Sequence, residues 1–459
     1  MTKKVHFIGI GGSGISAIAR MLLERGWQVS GTDMHTSPYF EALSALGANT
    51  RLGHHPELAL QSDLVIRSSA VKDDDLEVRA AQAIGHPVLK RSEFLPQLTE
   101  GSSTLAIAGS HGKTTTSAIL VHLLQAAALD PSFILGSEIK TLHSNAHSGN
   151  DKLFVIEADE YDYMFLGLKP FVSVVTNIEY DHPDFFLTPE IYTQAFVDFL
   201  NKTEKDGTIL LGGDDLGIQE MLKSHSFPNN RVLTYGFEDG NDYQITGYQA
   251  ENGIQTFSLS TPDKRTFGPF KINQPGKFNV ANSAAALAVV NLLKIDLNTL
   301  TNVLLTFEGT SRRFELLAEN ENVKIFNDYG HHPSQLLLTV EAAQQKYPEA
   351  KIWAIWEPHT ASRTERLQHE FANALKTADH SVILKLYGAR EDDSSFNPSQ
   401  IASEVNDENC LYIPDYNDAV EYISTHLTGN DLMIVFSAGK GPEFAQLLCD
   451  ELKLESKND

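Results

Sequence analysis

TLAIAGSHGKTT, residues 104–115, predicts a buried strand that runs into a glycine-rich loop and the first turn of a helix. In this context loop N–H groups surround phosphate oxygens, a lysine neutralises the terminal phosphate, and a hydroxyl ligates Mg²⁺. Lys113 and Thr114 are the predicted lysine and hydroxyl. The commonest form of the loop has a glycine where this chain has Ile107, but the order of strand, loop and helix still indicates a P-loop. The residues predicted to hold ATP are Gly109, Ser110, His111, Gly112, Lys113, Thr114 and Thr115.

Polar side chains follow the next two predicted strands at their carboxyl ends, where parallel sheets place ligands. Glu157 comes directly after one strand, and His182 follows the other. Acidic residues at strand ends are often only solvated, but beside a P-loop Glu157 is the better candidate for a magnesium ligand. His182 stands between Asp181 and Asp184, so it is a candidate ligand for a second metal ion. An ordinary surface or core histidine is the alternative.

A second glycine-rich turn, GIGGSG at residues 9–14, lies between an apolar strand and a helical pattern near the amino terminus. Asp33, at the end of the next strand, has the position at which an acidic group meets a ribose hydroxyl. The turn predicts phosphate binding of the dinucleotide type, with close packing of helix on sheet as the alternative, and a nicotinamide dehydrogenase is one hypothesis. The predicted substrate-binding residues here are Gly9, Gly11, Gly12, Ser13, Gly14, Asp33, Ser68 and Ser69.

Composition limits the classes of function. A net charge of −24 repels nucleic acid and anionic membranes, so any phosphate must be held by local positive groups. No apolar run approaches the roughly 18 residues of a membrane helix, and membrane insertion is not expected. The two cysteines, Cys410 and Cys449, are too few for a disulfide framework, which favours a soluble protein of the reducing cytoplasm.

The chain of 459 residues suggests about three domains at roughly 150 residues each. Strands alternate with helical stretches, which predicts an α/β fold with mostly parallel sheets and a more β-rich segment at 243–267. Composition turns small and polar near Gly101, and the α/β pattern restarts near Gly309. We therefore expect domains at 1–101, 102–308 and 309–459, with opening and closing motions about the segments near Ser103 and Gly309.

Taken in order, the motifs resemble those of the Mur ligase family. The resemblance rests on GSHGKTT at 109–115, EADE at 157–160, TNIE at 176–179, DH at 181–182, GTSRRF at 309–314, NDYGHHP at 327–333, PH at 358–359 and RT at 363–364. It implies three domains: a Rossmann-like domain for a UDP-linked substrate, a central P-loop ATPase domain, and a carboxyl-terminal Rossmann-like domain for the amino acid. The first glycine turn would then hold the UDP pyrophosphate, and no nicotinamide is needed.

The resemblance also implies a reaction in peptidoglycan precursor synthesis. ATP would phosphorylate the lactyl carboxylate of UDP-N-acetylmuramate, and the amino group of L-alanine would attack the acyl phosphate. Glu357 and Tyr161 resemble residues of a related ligase, which attaches a recycled tripeptide to the same nucleotide sugar. That tripeptide-adding reaction is the alternative. A P-loop regulatory protein is a further alternative, but it leaves the histidines beyond residue 330 unexplained.

Residue roles follow from the matching motifs. The resemblance implies that Glu157 binds the first magnesium, His182 binds a second metal, Arg313 assists the γ-phosphate and Asp328 meets the ATP ribose. The implied adenine contacts are Asn279 and Asn282, beside Phe278 where the family usually has histidine.

The implied amino-acid site lies in the third domain and comprises His331, His359 and Arg363. A guanidinium suits a carboxylate because it can form two parallel hydrogen bonds. Pro183 and Thr360 depart from the residues frequent in the family, and no lysine is identified as carbamylated; the oligomeric state stays open. The residues implied to act in catalysis are Lys113, Glu157, His182, Arg313 and His331.

Overall fold

The computed structural model describes residues 3–388, 391 and 396–454. These residues form three sheets of five, ten and six strands, each packed against helices. The three-part α/β architecture predicted from the sequence is therefore confirmed. None of the helices in the described part of the chain is long and apolar enough to span a membrane.

The first unit is a parallel five-stranded sheet in the order β3-β2-β1-β4-β5. Its strands are β1 Lys4–Ile8, β2 Gln28–Asp33, β3 Asn49–Leu52, β4 Leu64–Arg67 and β5 Val88–Lys90. Its helices are α1 Ser13–Glu24, α2 Pro38–Ala45, α3 Pro56–Leu60, α4 Leu76–Ala83 and α5 Arg91–Leu98. The chain reverses its direction of winding between β1 and β4, so the glycine turn after β1 lies at the crevice where such sheets bind ligands.

The central unit contains the P-loop strand in the middle of a ten-stranded sheet, in the order β15-β14-β13-β12-β11-β10-β6-β9-β7-β8. Its strands are β6 Ser103–Ala108, β7 Ser132–Ile139, β8 Ser144–His147, β9 Leu153–Glu157, β10 Val172–Val175, β11 Thr208–Gly212, β12 Arg231–Gly236, β13 Tyr243–Glu251, β14 Ile254–Ser260 and β15 Thr266–Ile272. Its helices are α6 Lys113–Ala126, α7 Pro189–Leu200, α8 Leu216–Ser224 and α9 Lys277–Leu292, with short 3₁₀ turns at Lys140–Leu142, Tyr161–Gly167, Leu297–Leu300 and Val303–Thr306.

Strand β6 pairs in parallel with β9 on one side and β10 on the other. Ile107 is in register with Glu157, and Ala108 is in register with Val175. The polar residues that follow β9 and β10 therefore flank the P-loop. The predicted β-rich segment corresponds to β13, β14 and β15, which extend the sheet as antiparallel strands beyond β13.

The third unit is a six-stranded sheet in the order β16-β17-β21-β18-β19-β20, parallel except for β16. Its strands are β16 Glu315–Glu319, β17 Val323–Asp328, β18 Lys351–Trp356, β19 His380–Ile383, β20 Cys410–Tyr412 and β21 Asp431–Phe436. Its helices are α10 Pro333–Lys346, α11 Ala361–Arg366, α12 Gln368–Leu375, α13 Ser399–Val405, α14 Tyr416–His426 and α15 Gly441–Glu451.

Strand β19 is shorter than the sequence predicted, since the apolar run 381–386 suggested a strand of that length and β19 ends at Ile383. Beyond it the chain turns toward the loop after β18, where Tyr387 N–H donates to Pro358 O and Thr360 N–H donates to Tyr387 O. These bonds direct the loop that carries His359 toward the central unit.

The connection into the third unit runs along the edge of the central sheet. Lys140 N–H donates to Gly309 O, and Ser311 N–H donates to Glu138 O. This pairing brings Arg313 next to the P-loop. The boundaries 1–101, 102–308 and 309–459 stay predictions.

Candidate active site

The P-loop connects β6 to α6 and depends on two glycines with positive φ. A Cβ at Gly109 would lie 2.0 Å from Thr176 Oγ1 and 3.0 Å from its backbone nitrogen. A Cβ at Gly112 would lie 2.5 Å from Asn282 Oδ1. Both positions therefore require glycine, because φ is +133° and +83° and neighbouring groups occupy the space of a side chain.

Lys113, the first residue of α6, forms a salt bridge with Glu160. Its Nζ lies 2.8 and 3.1 Å from the two Glu160 oxygens and also donates to Gly109 O. Burial disfavours the charged form, but Glu160, Asp159 and Glu157 outweigh it and raise the pKa of Lys113. Burial of Glu160 would raise its pKa, but the nearby Lys113 and His182 outweigh this effect and lower the pKa of Glu160 to about 2.

Glu160 has no role predicted from the sequence. It belongs to the acidic run that follows β9, but a run of carboxylates does not reveal which member faces the loop. Its side chain is 1% exposed and also receives a hydrogen bond of 3.4 Å from Tyr192 Oη. Glu160 is thus a buried counter-ion of the P-loop lysine.

Thr114 and Glu157 meet as the sequence predicted for a magnesium site. Thr114 Oγ1 donates to Glu157 Oε1 at 3.1 Å, and Gly136 N–H donates to Glu157 Oε2 at 2.7 Å. Arg313 approaches from the third unit, with its Nη2 3.5 Å from Thr114 Oγ1. Hydroxyl and carboxylate oxygens are the donors that Mg²⁺ prefers, so these residues fit the ion.

His182 lies among carboxylates rather than on the protein surface. Its Nε2 is 3.5 Å from Glu160 Oε1 and 3.8 Å from Asp181 Oδ2, and its φ is +55°. Burial disfavours the imidazolium, but Asp181 and Glu160 outweigh it and raise the pKa of His182. The structure therefore places His182 beside the salt bridge between Lys113 and Glu160. Its role as a metal ligand stays a prediction.

Two of the three residues predicted for the amino acid, Arg363 and His331, meet at Asp181 of the central unit, and His359 lies beside His331. Arg363 Nε donates to Asp181 Oδ1 at 2.7 Å, and both side chains are buried. His331 Nε2 lies 3.9 Å from Asp181 Oδ2, and the His331 and His359 ring centroids are 5.9 Å apart. Burial and the charge of Arg363 hold the pKa of His331 well below its usual range.

A cavity of about 270 Å³ opens beside the P-loop, between the central and third units. The residues predicted for ATP that line it are His111, Gly112, Thr114, Thr115, Asn279, Asn282, Arg313 and Asp328. Asn279 Nδ2 donates to Pro275 O at 2.7 Å, and Asn282 Nδ2 donates to Asn279 Oδ1 at 3.2 Å. Phe278 contributes to the apolar wall, which suits the face of a base.

Asp328 and Ser110 are fixed by their neighbours. The two Asp328 oxygens accept from Phe314 N–H and Gly330 N–H, both at 2.7 Å. Burial raises the pKa of Asp328. Ser110 Oγ donates to Glu179 O at 2.7 Å.

A second pocket lies over the glycine turn of the first unit. Its lining includes Gly9, Gly11, Gly12, Asp33 and Ser68 among the predicted residues. Asp33 Oδ2 accepts from Gly11 N–H at 2.9 Å, so this carboxylate holds the turn in shape.

Ser13, Gly14 and Ser69 lie outside the residues that line this pocket and stay predictions. A Cβ at Gly14 would lie 2.0 Å from Arg91 Nη1, so Gly14 allows the guanidinium to pack against the start of α1. Arg91 Nε is buried without a hydrogen-bond partner. Arg91 could not be predicted from the sequence, because a single arginine on a short helix belongs to no motif.

Three protein-family models match successive parts of this chain and define the class of protein. Family models described as Mur ligase family catalytic domain, Mur ligase middle domain, and Mur ligase glutamate ligase domain match residues 4–102, 107–290 and 312–439. The chain therefore belongs to the Mur ligase family.

Within that family, the chain is similar over nearly its whole length to proteins named UDP-N-acetylmuramate–L-alanine ligase. The one from Alkaliphilus metalliredigens is 36% identical, covering 98% of this chain and 97% of the relative. The one from Solidesulfovibrio magneticus is 36% identical, covering 95% of both chains.

Solved structures agree in fold. A UDP-N-acetylmuramate-alanine ligase from Thermotoga maritima superposes with a TM-score of 0.82 at 24% identity, covering 98% of this chain and 99% of that one. A murein peptide ligase from Psychrobacter arcticus superposes with a TM-score of 0.72 at 22% identity, covering 98% of both.

Proposed function

We propose that this protein uses ATP to join L-alanine to the lactyl carboxylate of UDP-N-acetylmuramate, a step of peptidoglycan precursor synthesis in the cytoplasm. The observation that carries the proposal is the approach of Arg313, from the third unit, to Thr114, whose hydroxyl also donates to Glu157. It brings a second cation, besides Lys113, to the P-loop. The choice of L-alanine rests on the names of the relatives that match the whole chain.

The first step activates a carboxylate that is otherwise a poor electrophile. An oxygen of the lactyl carboxylate attacks the γ-phosphorus of ATP, the bond to the bridging oxygen breaks, and ADP leaves. Lys113 and Arg313 offset the charge that moves onto the phosphate oxygens. Thr114 and Glu157 are the oxygen donors that would hold Mg²⁺, which when bound supplies further compensation of phosphate charge.

The second step needs an uncharged amine on L-alanine. His331 Nδ1 lies 3.0 Å from Tyr329 O, and because a carbonyl only accepts, this nitrogen carries the proton. Nε2 is then left with a lone pair, and the lowered pKa keeps the ring neutral. Nε2 of His331 is therefore suited to accept a hydrogen bond from the neutral amino group and to orient it toward the acyl carbon. The neutral amine attacks the acyl carbon, the bond from that carbon to the phosphate oxygen breaks, and inorganic phosphate leaves with the proton that the nitrogen gives up.

Arg363 is the proposed partner of the L-alanine carboxylate, beside His359. The first unit, at 1–101, holds the UDP moiety through its glycine turn. The family assignment replaces the dehydrogenase and P-loop regulator alternatives.

The tripeptide-adding reaction gains no support from Glu357, one of the two residues that suggested it. Glu357 is buried and accepts hydrogen bonds from Tyr416 Oη, Ser437 Oγ and Lys440 N–H within the third unit. Its carboxylate therefore stabilises the loop after β21 instead of facing a peptide.

ADP release tests the proposal. The purified protein is incubated with ATP, Mg²⁺ and UDP-N-acetylmuramate, together with either L-alanine or the murein tripeptide. We expect ADP release that depends on L-alanine. ADP release that depends only on the tripeptide would overturn the substrate assignment. No ADP release with either compound would overturn the ligase reaction.

A further inference from the structure

A polar cluster joins the third unit to the P-loop at the phosphate side of the nucleotide cavity. Ser334 and Gln335, in the first turn of α10, contact Glu179 and His111 of the central unit. Ser334 Oγ donates to Glu179 Oε1 at 2.5 Å, and Gln335 Nε2 lies 3.0 Å from His111 Nδ1. His111 Nε2 lies 2.8 Å from Glu179 Oε2. All four side chains line the cavity, and we call them the clasp.

The hydrogen bonds of Gln335 fix the tautomer of His111. Gln335 Oε1 accepts from the N–H groups of His331 and His332, at 2.9 and 3.2 Å. The side-chain nitrogen of Gln335 must therefore point at His111, and an amide nitrogen only donates. His111 Nδ1 is then the acceptor, so its proton lies on Nε2 and is donated to Glu179.

This tautomer argues against a metal site, although His111, Glu179 and His332 have ligand atoms within 4.8 Å of one another. To bind a metal through Nε2, His111 would have to carry its proton on Nδ1, where the Gln335 amide nitrogen already donates. Both ring nitrogens of His332 lack hydrogen-bond partners, and the side chain is 2% exposed. Burial lowers the pKa of His332 to about 4, which keeps this packed ring neutral.

Asn177 of the central unit holds the P-loop backbone at His111. His111 N–H donates to Asn177 Oδ1 at 2.8 Å, and Asn177 Nδ2 donates to His111 O at 3.1 Å. The main chain of His111 is thus anchored in the central unit, whereas its side chain is shared between Glu179 of the central unit and Gln335 of the third unit. Any separation of the units must break the bonds to Gln335 and Ser334 at the P-loop itself.

We propose that Gln335 and Glu179 are positioning residues that orient His111 and hold the third unit closed on the P-loop. Gln335 presents its donor to His111 Nδ1, Glu179 accepts from Nε2, and Ser334 fixes the other Glu179 oxygen. Closure and the conformation of the phosphate loop are thereby coupled through one imidazole. The kinetic consequence rests on the proposed function, but the tautomer does not.

The test combines histidine nitrogen NMR with kinetics on Q335A and Q335E. The full-length protein carries ¹⁵N-histidine, and His111→Asn identifies the His111 signals. In the wild type without ligands we expect a proton on Nε2 and none on Nδ1. Q335A should give a mixture of tautomers. Q335E, which turns the donor into an acceptor, should move a proton onto Nδ1.

Kinetics then separate positioning from folding. For Q335A we expect kcat/KM for ATP to fall about tenfold, the size expected for hydrogen bonds lost from a charged cluster. The melting temperature should fall by only a few degrees, because Gln335 Oε1 also accepts two backbone N–H groups at the start of α10. Q344A is the matched control, since Gln344 lies on the same helix but donates to Thr377 O within the third unit. It should match the wild type.

Three results would overturn the proposal. One is a proton on Nδ1 of His111 in the wild type. Another is a kcat/KM for ATP in Q335A equal to that of Q344A. The last is binding of one equivalent of Zn²⁺ that perturbs the ring nitrogens of His111 and His332 together, which would make the cluster a metal site. If no ADP is released by the wild type, the NMR result alone still decides the tautomer.

Discussion

At the P-loop, one buried ion pair sets the charge state of the key lysine. Lys113 and Glu160 lie 2.8 Å apart, with Glu160 almost fully buried. Removing one partner of such a pair leaves the other charge uncompensated. The lysine is therefore held charged and in place before any nucleotide arrives.

Glu160→Gln should destabilise the protein by about 3 kcal/mol, because Lys113 would stay buried without its counter-charge. Urea unfolding measures the change. The double variant with Lys113→Met should recover part of the loss, since it removes the unpaired charge. Glu220→Gln is the control, because its pair with Lys223 is exposed, and we expect no measurable effect. An additive double variant would contradict the pairing.

The pH dependence of stability follows from the same carboxylate. The pKa of Glu160 is about 2 in the folded protein, against an ordinary value near 4.5. A lowered folded pKa stabilises the protein above the ordinary value, and this contribution is lost as pH falls toward 2. We expect the difference in unfolding free energy between wild type and Glu160→Gln to shrink between pH 5 and pH 2. A difference that is constant over this range would refute the assignment.

At the scale of elements, the loop after β6 is shaped by close contact with the residue after β10. A Cβ at Gly109 would meet both the hydroxyl and the backbone nitrogen of Thr176. The backbone cannot move away without disturbing the pairing of β6 with β10. Steric fit between neighbouring strand ends thus sets the loop conformation.

Gly109→Ala should abolish ATP binding measured by calorimetry, because the displaced loop no longer presents its N–H groups to phosphate. Gly85→Ala is the control that separates the steric clash of an added side chain from the backbone strain of a positive φ. Gly85 also has a positive φ, +79°, but nothing lies within 4 Å of its added Cβ. The control should lose about 1 kcal/mol of stability and keep its ATP affinity. Normal ATP binding by Gly109→Ala would contradict the steric account.

Much of the P-loop and of the strand ends beside it could be predicted from the sequence, because β6, α6 and the polar residues after β9 and β10 follow local patterns. Glu157 was placed correctly beside Thr114 since parallel strand ends meet at one edge. Glu160, Arg91 and the contacts of Gln335 could not be predicted. Their partners are brought together by tertiary packing, and no periodicity or spacing encodes which side chain of a polar run faces inward.

At the scale of the whole molecule, polar pairs hold the third unit against the central one. Arg363 and Asp181 form a buried pair at 2.7 Å, and the Arg366 guanidinium lies over the Tyr180 ring at 4.7 Å. Lys140 Nζ lies 3.0 Å from Glu315 Oε1. Polar interfaces of this kind can open and close, which matches the motion expected from the sequence near Gly309.

Arg363→Gln should shift the protein toward an open arrangement. The substitution removes the shorter of two cation contacts of the buried Asp181 and leaves only His182 Nε2 at 3.8 Å. A loss of about 2 kcal/mol from the closed form changes the ratio of closed to open roughly 30-fold. Small-angle scattering without substrates should show a larger radius of gyration. Lys324→Gln is the control, because its partner Glu319 lies in the same unit, and the radius should not change. An unchanged radius in Arg363→Gln, together with a raised KM for L-alanine, would mean that Arg363 serves only the amino acid and that other contacts govern closure.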